Sequence, residues 1–324
     1  MIGFLRGAGA LILLWTVGVA FSAGVGTFAS GNVLAFDSNR TGNYEIFLLD
    51  LDTGVLLNVT NDSAQDRNPA WSADGRFLAF ESVQRGVGNG IYLIDMHNRN
   101  REPVRVTPEF VRAVQPTFSP VGNYIAFSGA MDNMFNNDIF TVNLFDKQVV
   151  QVTNTPNVYD YGPDWSPDGK FLTYGSYAQT INAPADIFVQ PFNEAALQLA
   201  TTRAQTTTGP LKVSEDDQAA DPAWTPDGRI LFRYDLAPFS LYVTAPTLDA
   251  PDEPLLTHRE VVDKPAMSPD GQWVAYSSAN GRVDPWRALK VARTNGESPA
   301  FWVTYGAQAG PYTDGAPAWM PPRR

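Results

Sequence analysis

The stretch GPDWSPDGKFLTYGS, residues 162–176, sets Asp164, Trp165, Ser166, Asp168 and Lys170 close together. A hydroxyl flanked by carboxylates and an amine has the parts of a nucleophilic or acid–base site. The same stretch recurs along the chain, however, and the recurrences decide between chemistry and architecture. They read NPAWSADGRFLAFES from Asn68, QPTFSPVGNYIAFSG from Gln115, DPAWTPDGRILFRYD from Asp221 and KPAMSPDGQWVAYSS from Lys264, with a truncated APAWMPP from Ala316. Ala73 replaces the turn proline in one copy and Val121 replaces the aspartate in another, whereas Gly75, Gly122, Gly169, Gly228 and Gly271 persist. What persists is the residue a tight turn demands, with Pro at its second position, Asp at its third and Gly in the left-handed one. Ser166 is therefore read as a turn residue, and Trp165 with its equivalents as packing between neighbouring units.

The anchoring prolines, Pro69, Pro116, Pro163, Pro222, Pro265 and Pro317, are spaced by 47, 47, 59, 43 and 52 residues. A period of this size, with several short strands per unit, marks propeller blades. Each unit predicts four strands. A short first strand ends at Trp71, Phe118, Trp165, Trp224 or Met267, and the turn follows. Next come an alternating apolar strand such as Phe77–Phe80, a third such as IYLID from Ile91, and an outer one such as VVQVT from Val149. The segment from Gly31 begins at a second strand, and APAWM at the end of the chain supplies a first strand with nothing after it. Joined, they complete one blade. The expected fold is all-β: a six-bladed propeller of four-stranded blades over residues 31–322, its ring closed by the two ends of the chain, which removes exposed sheet edges.

The repeats resemble the WD40-like β-propeller repeat of the TolB family. FDSNRTGNYEIFLLDLDTG and GPDWSPDGKFLTYGS carry the resemblance, matching Pro-x-Trp-Ser-Pro-Asp-Gly, an Ile-Ala-Phe-type strand, Ser-x-Arg-x-Gly and Glu-Ile-Tyr. The resemblance implies the fold over nearly all of residues 31–322; function it leaves open, because such propellers serve both as binding modules and as appendages of enzymes. TolB itself carries an α/β domain ahead of its propeller, whereas here an apolar segment precedes the first blade. Peptidases of the prolyl oligopeptidase type join similar propellers to an α/β-hydrolase domain, and the Gly-x-Ser-x-Gly elbow of that domain does not occur here.

Composition narrows the function further. The formal charge of −11 argues against nucleic-acid binding and against adhesion of the folded body to anionic lipid. The absence of cysteine excludes disulfides, thiol catalysis and thiolate zinc sites. His97 falls in a polar turn and His258 near the end of an outer strand, positions that do not converge on a metal. Arg6 precedes an apolar run from Gly7 to about Ala23, with small residues at Ala20 and Ser22. Residues 1–28 thus read as a secretory signal peptide cleaved after Ser22 or as an uncleaved N-terminal membrane anchor, and either places the body outside the cytoplasm.

Strands alternate in direction within a blade, so the Ser-Pro-Asp-Gly turns and the third-to-fourth turns share one face. The long loops after second and fourth strands share the other, and variable loops on a rigid scaffold are where function concentrates. Two sets of residues are candidates there. Met131, Met134, Phe135, Tyr159, Tyr161, Phe239 and Trp286 suit an adaptable interface with a protein or peptide. Asp66, Asp160, Asp221, Asp263 and Asp314, expected just before the innermost strands at the channel mouth, could receive a basic peptide or Ca²⁺, or could simply cap turns. No catalytic residue or resident metal is assigned. The leading expectation is a non-enzymatic extracytoplasmic binding propeller. The alternatives are a carbohydrate-active, hydrolytic or lyase enzyme using those carboxylates, and a purely structural envelope protein.

Overall fold

The computed structural model describes residues 32–322 apart from 84, 87, 99, 132–136, 181–182, 194–208, 215–217, 235–239, 249, 258–260, 280–286, 297–298 and 305–311. The signal or anchor assigned to residues 1–28 lies outside the described residues. So do His258 and most of the insertion after Asn193. Among the described residues no helix is long and apolar enough to cross a membrane.

Six four-stranded antiparallel sheets form, in which strands pair with their neighbours in sequence except where blade 1 joins the last strand to the first. Blade 1 is built from Asp314–Trp319 innermost, then Val33–Ser38, Glu45–Asp50 and Leu56–Asn58 outermost. In the same order, blade 2 comprises Gln65–Trp71, Phe77–Val83, Gly90–Asp95 and Val104–Arg105, and blade 3 Val111–Phe118, Tyr124–Met131, Asp138–Asn143 and Val149–Gln151. Blade 4 comprises Val158–Trp165, Phe171–Ala178, Ala185–Pro191 and Leu211–Lys212. Blade 5 follows with Ala219–Trp224, Ile230–Tyr234, Ser240–Thr244 and Glu253–Thr257, and blade 6 with Val261–Met267, Trp273–Ala279, Arg287–Arg293 and Phe301–Trp302. Each innermost strand touches the innermost strands of both neighbouring blades, and the last touches the first, so the ring is closed. Blade 1 joins the two ends of the chain as expected, with Leu34 opposite Trp319 and Ala35 opposite Ala318.

The core lies between blades, because each sheet is apolar on both faces. Trp71 packs in a cluster with Val33, Ala35 and Ile46 of blade 1, Trp165 in one with Tyr124, Ala126 and Ile139 of blade 3, and Trp319 against one that holds Ala275 and Val291 of blade 6. The residue that ends each innermost strand, an aromatic in five blades and Met267 in blade 6, packs in the cluster shared with the preceding blade. At the outer edge, a hydroxyl from Thr60, Thr107, Thr153, Ser214 or Thr304 accepts the N–H that opens the third strand, from Ile46, Ile91, Ile139, Ile187 or Leu289, at 2.8–3.2 Å. That bond satisfies a backbone donor where the short outer strand stops pairing.

The Ser-Pro-Asp-Gly turns are closed on themselves. Ser166 Oγ donates to Asp168 Oδ1 at 2.7 Å and accepts the Phe171 N–H at 2.9 Å, while the Gly169 N–H reaches Ser166 O at 2.8 Å. Gly169 has φ +70°, the left-handed conformation that its position in the turn requires. Ser166 is buried and its hydroxyl is engaged by Asp168 and the Phe171 N–H of its own turn, so the apparent catalytic cluster is a hairpin.

Candidate functional site: the channel mouth on the long-loop face

Every innermost strand carries a bulge immediately before its proline. Register shifts occur between Arg67 and Ala70, Val114 and Thr117, Tyr161 and Asp164, Ala220 and Ala223, and Asp263 and Ala266, with the counterpart in blade 1. The bulged residues Asn68, Gln115, Gly162, Asp221, Lys264 and Ala316 all have positive φ, between 41° and 56°. A left-handed residue costs roughly 1–2 kcal/mol unless it is glycine, so five of these six hold an unfavourable backbone. The bulge re-aims the side chains into the channel. Lys264 Nζ of blade 6 bonds Asn68 Oδ1 of blade 2, two blades that meet only across the front of blade 1. Gln115 Oε1 accepts the Gly162 N–H at 3.0 Å, and the Gln115 N–H donates to Glu81 Oε2 at 2.9 Å.

The five aspartates lie within the innermost strands, not before them as expected from sequence, and they occupy three registers. Asp66, Asp160 and Asp314 stand three residues before the proline, Asp263 two and Asp221 one. The first three are fully buried. Asp66 accepts Arg85 Nη2 at 2.6 Å and the Ser82 hydroxyl, and Asp314 accepts Arg40 Nη2 at 2.6 Å. Asp160 accepts Ser176 Oγ at 2.7 Å and Thr155 Oγ1 at 2.8 Å, and burial pushes its carboxyl up. Asp221 accepts Arg233 Nε at 2.7 Å and the Lys264 N–H at 3.1 Å. Burial opposes its charge, but Arg233 beside it prevails and holds it below the usual range. Asp263 pairs with Arg233 at 3.3 Å and with Arg287. Four of the five carboxylates are thus matched by arginines, and a cation or basic peptide would compete with them.

A carboxylate cluster missed in the sequence joins Asp66. One oxygen each from Glu45, Asp62 and Asp66 lies within 4.8 Å of the others, a separation that could hold a cation. Arg85 spans it, reaching Asp62 at 2.5 Å and Asp66 at 2.6 Å. The signal available was the Ser-x-x-Arg at Ser82–Arg85, which returns an arginine to the first strand of its own blade.

The apolar candidates divide. Met131 ends a strand of blade 3 and packs against the core between blades 2 and 3. Met134, Phe135, Phe239 and Trp286 lie outside the described residues. Tyr159 and Tyr161 come together on a third tyrosine that the sequence reading did not single out. Tyr177 stacks on Tyr159 at 5.4 Å and meets Tyr161 edge-on at 5.5 Å. Tyr161 fits because Gly175 lies beneath it, where a Cβ would come within 2.4 Å of its ring. Burial pushes the Tyr161 hydroxyl up, so it stays neutral in this cluster. Tyr177 is 38% exposed, giving an aromatic step at the long-loop end of blade 4. Period 2 along Tyr159 and Tyr161 was the legible half. Its partner required knowing that Tyr159 pairs with Tyr177 across the strands.

Comparison with known proteins follows this geometry. The family described as TolB beta propeller domain matches residues 88–321. The Tol-Pal system protein TolB of Francisella tularensis subsp. holarctica is 24% identical over 290 residues, which is 86% of this chain and 60% of that protein. An uncharacterized peptidase, YuxL of Bacillus subtilis, is 26% identical over 188 residues, 57% of this chain and 24% of its own length. The crystal structure of TolB from Acinetobacter baumannii superposes with a TM-score of 0.67 at 19% identity, covering 90% of this chain and 67% of that one, a likeness of fold. The chain spans 24–60% of the length of the first curated relatives it matches, among them a TolB homolog of Chlorobium luteolum at 32%.

Proposed function

Because the chain belongs to the TolB β-propeller domain family, we propose that it is a non-enzymatic binding module that captures a protein or peptide outside the cytoplasm, on its long-loop face. The observation that carries this reading is the Tyr159–Tyr161–Tyr177 cluster, a rigid and partly exposed aromatic surface beside the channel mouth. Tyrosines supply large contact area at low entropic cost and anchor interfaces. Candidate groups for chemistry are engaged in the fold: Ser166 and Asp168 in a turn, Asp160 with Ser176 and Thr155, and Asp66, Asp221, Asp263 and Asp314 with arginines. Met134, Phe135 and Trp286, which fall in the long loops by sequence, lie outside the described residues. The relative named a TolB of a Tol-Pal system supports protein partners and an extracytoplasmic setting.

The experiment is selection of phage-displayed random peptides on the purified propeller. Tyr177→Ala combined with Tyr159→Ala is expected to weaken the selected peptides at least tenfold, since interface hot spots exceed about 2 kcal/mol. The thermal transition of the variant should remain cooperative. Equal binding by a folded variant would remove the long-loop face from the account. The enzymatic alternative draws on the relative named a peptidase, and turnover of a peptide or glycan library by the propeller alone would establish it.

A further inference from the structure

The position two residues before each anchoring proline sits at the channel mouth, directly above the bulge. Around the ring it is Gly315 in blade 1, Arg67 in blade 2, Val114, Tyr161, Ala220, and Asp263 in blade 6. Blade 1 alone has no side chain there, and none would fit easily: a Cβ on Gly315 would lie 3.0 Å from Asp37 Oδ1. The Asp37 carboxylate stands in that place, and cationic groups from both flanking blades reach the front of blade 1. From blade 2, the exposed Arg67 guanidinium stands 3.6 Å over the ring of Tyr44, at the start of blade 1's third strand. From blade 6, Lys264 crosses to Asn68, a neutral acceptor.

The other charges at the mouth are spent. Asp221 and Asp263 hold Arg233 and Arg287. Glu81 is turned to the Gln115 N–H. Asp37, whose carboxylate takes the place of that missing side chain, is near Lys264 and Arg67, but it is buried and its burial disfavours the charged form. Among the described residues neither Arg67 nor Lys264 is joined to a carboxylate by an ion pair. A chain with formal charge −11 thus presents at its channel mouth two cations that make no ion pair among the described residues, Lys264 bonding the residue next to Arg67. A guanidinium stacked on an aromatic ring keeps its N–H edge free, and that edge matches a carboxylate.

We infer that this sector receives a carboxylate of the partner peptide, from an Asp or Glu side chain or a free C-terminus, on Arg67 and Lys264. The inference rests on the peptide-binding reading above and assigns the sign of the partner's charge. It is opposite to the sign that the five aspartates suggest in the sequence.

The same selection tests it with different variants. Peptides enriched on the wild-type chain are expected to be rich in Asp and Glu. Arg67→Gln should weaken them at least tenfold, as loss of a hydrogen bond to a charged group does. Lys264→Met should weaken them to a lesser degree, because its bond to Asn68 already occupies part of its donor capacity. Synthesis of one enriched peptide as free acid and as amide separates a C-terminal from a side-chain carboxylate. Enrichment of Lys- and Arg-rich peptides would overturn the inference. So would acidic peptides indifferent to Arg67→Gln; if those peptides still depended on Tyr159 and Tyr177, the peptide-binding reading would stand while this one fell. Absence of any enriched peptide would count against both.

Discussion

Asp164 ties three blades together. It belongs to the innermost strand of blade 4, accepts Thr117 Oγ1 of blade 3 at 3.0 Å and accepts the Trp224 N–H of blade 5 at 2.7 Å. The equivalent positions are Ala70, Thr117, Ala223, Ala266 and Ala318, so the staple is particular to this blade. Burial pushes its carboxyl up to about 6, against the hydrogen bonds that favour the charged form. The folded chain therefore keeps a proton that the unfolded chain releases above about 3.8. Stability from this group is complete below that pH and declines as pH rises through about 6. Asp164→Asn keeps an acceptor for Trp224 and gains a donor for Thr117. It is expected to be more stable than the wild type at pH 7.5 by up to about 3 kcal/mol, the equivalent of a two-unit shift, and to lose that advantage near pH 4. Denaturant unfolding at both pH values checks this; a variant less stable at pH 7.5 would show that the ionised carboxylate is the favoured partner.

Within elements, the joint between blades 1 and 2 shows how a strand end is fastened. Glu45 opens the third strand of blade 1, Asp62 lies in the link that follows its outer strand, and Asp66 lies in the innermost strand of blade 2. Three carboxylates meet there, held by Arg85, by Thr60 and by the Asp62 N–H on Glu45 at 3.0 Å. Blade 4 replaces this arginine at the corresponding place, three residues after Ser176, with Gln179, and the carboxylates Asp138 and Asp160 share the Thr155 hydroxyl instead. Arg85→Gln leaves the blade 1–2 carboxylates without their cation, which should cost about 3–5 kcal/mol. Millimolar calcium should then restore part of the thermal stability of the variant while leaving the wild type unchanged, since oxygen ligands at this spacing suit that ion. A wild type stabilised by calcium as strongly as the variant would mean that Arg85 does not fill the site.

For the whole molecule, closure of the ring was legible because it depends on features written in order: six prolines 43 to 59 residues apart, an aromatic two residues after most of them, and one blade divided into three strands near the start and one near the end. The face bearing the long loops followed from strand alternation alone. The bulges were not legible, because the residue that adopts positive φ is Asn, Gln, Gly, Asp, Lys or Ala, and no common side chain marks it. The true character of the channel mouth was hidden for a related reason. Asp66 meets Arg85 after 19 residues and Asp314 meets Arg40 after 274, so the two pairings share no spacing, and only the Ser-x-x-Arg at Ser82–Arg85 hinted at one of them. Counted alone, the aspartates suggest an acidic mouth. Counted with the arginines that the fold returns to four of them, they leave Arg67 and Lys264 as the groups that the proposal above assigns to a partner.

The central claim is that a partner seats on the long-loop face, against the tyrosines of blade 4, and not on the tight-turn face, where Phe145 is 89% exposed. Amide hydrogen exchange of the propeller, free and saturated with a selected peptide, separates the two faces directly. Slower exchange is expected at residues 158–161 and 176–178, with no change at 120–122 and 143–147. Protection confined to the second pair of segments would contradict the account.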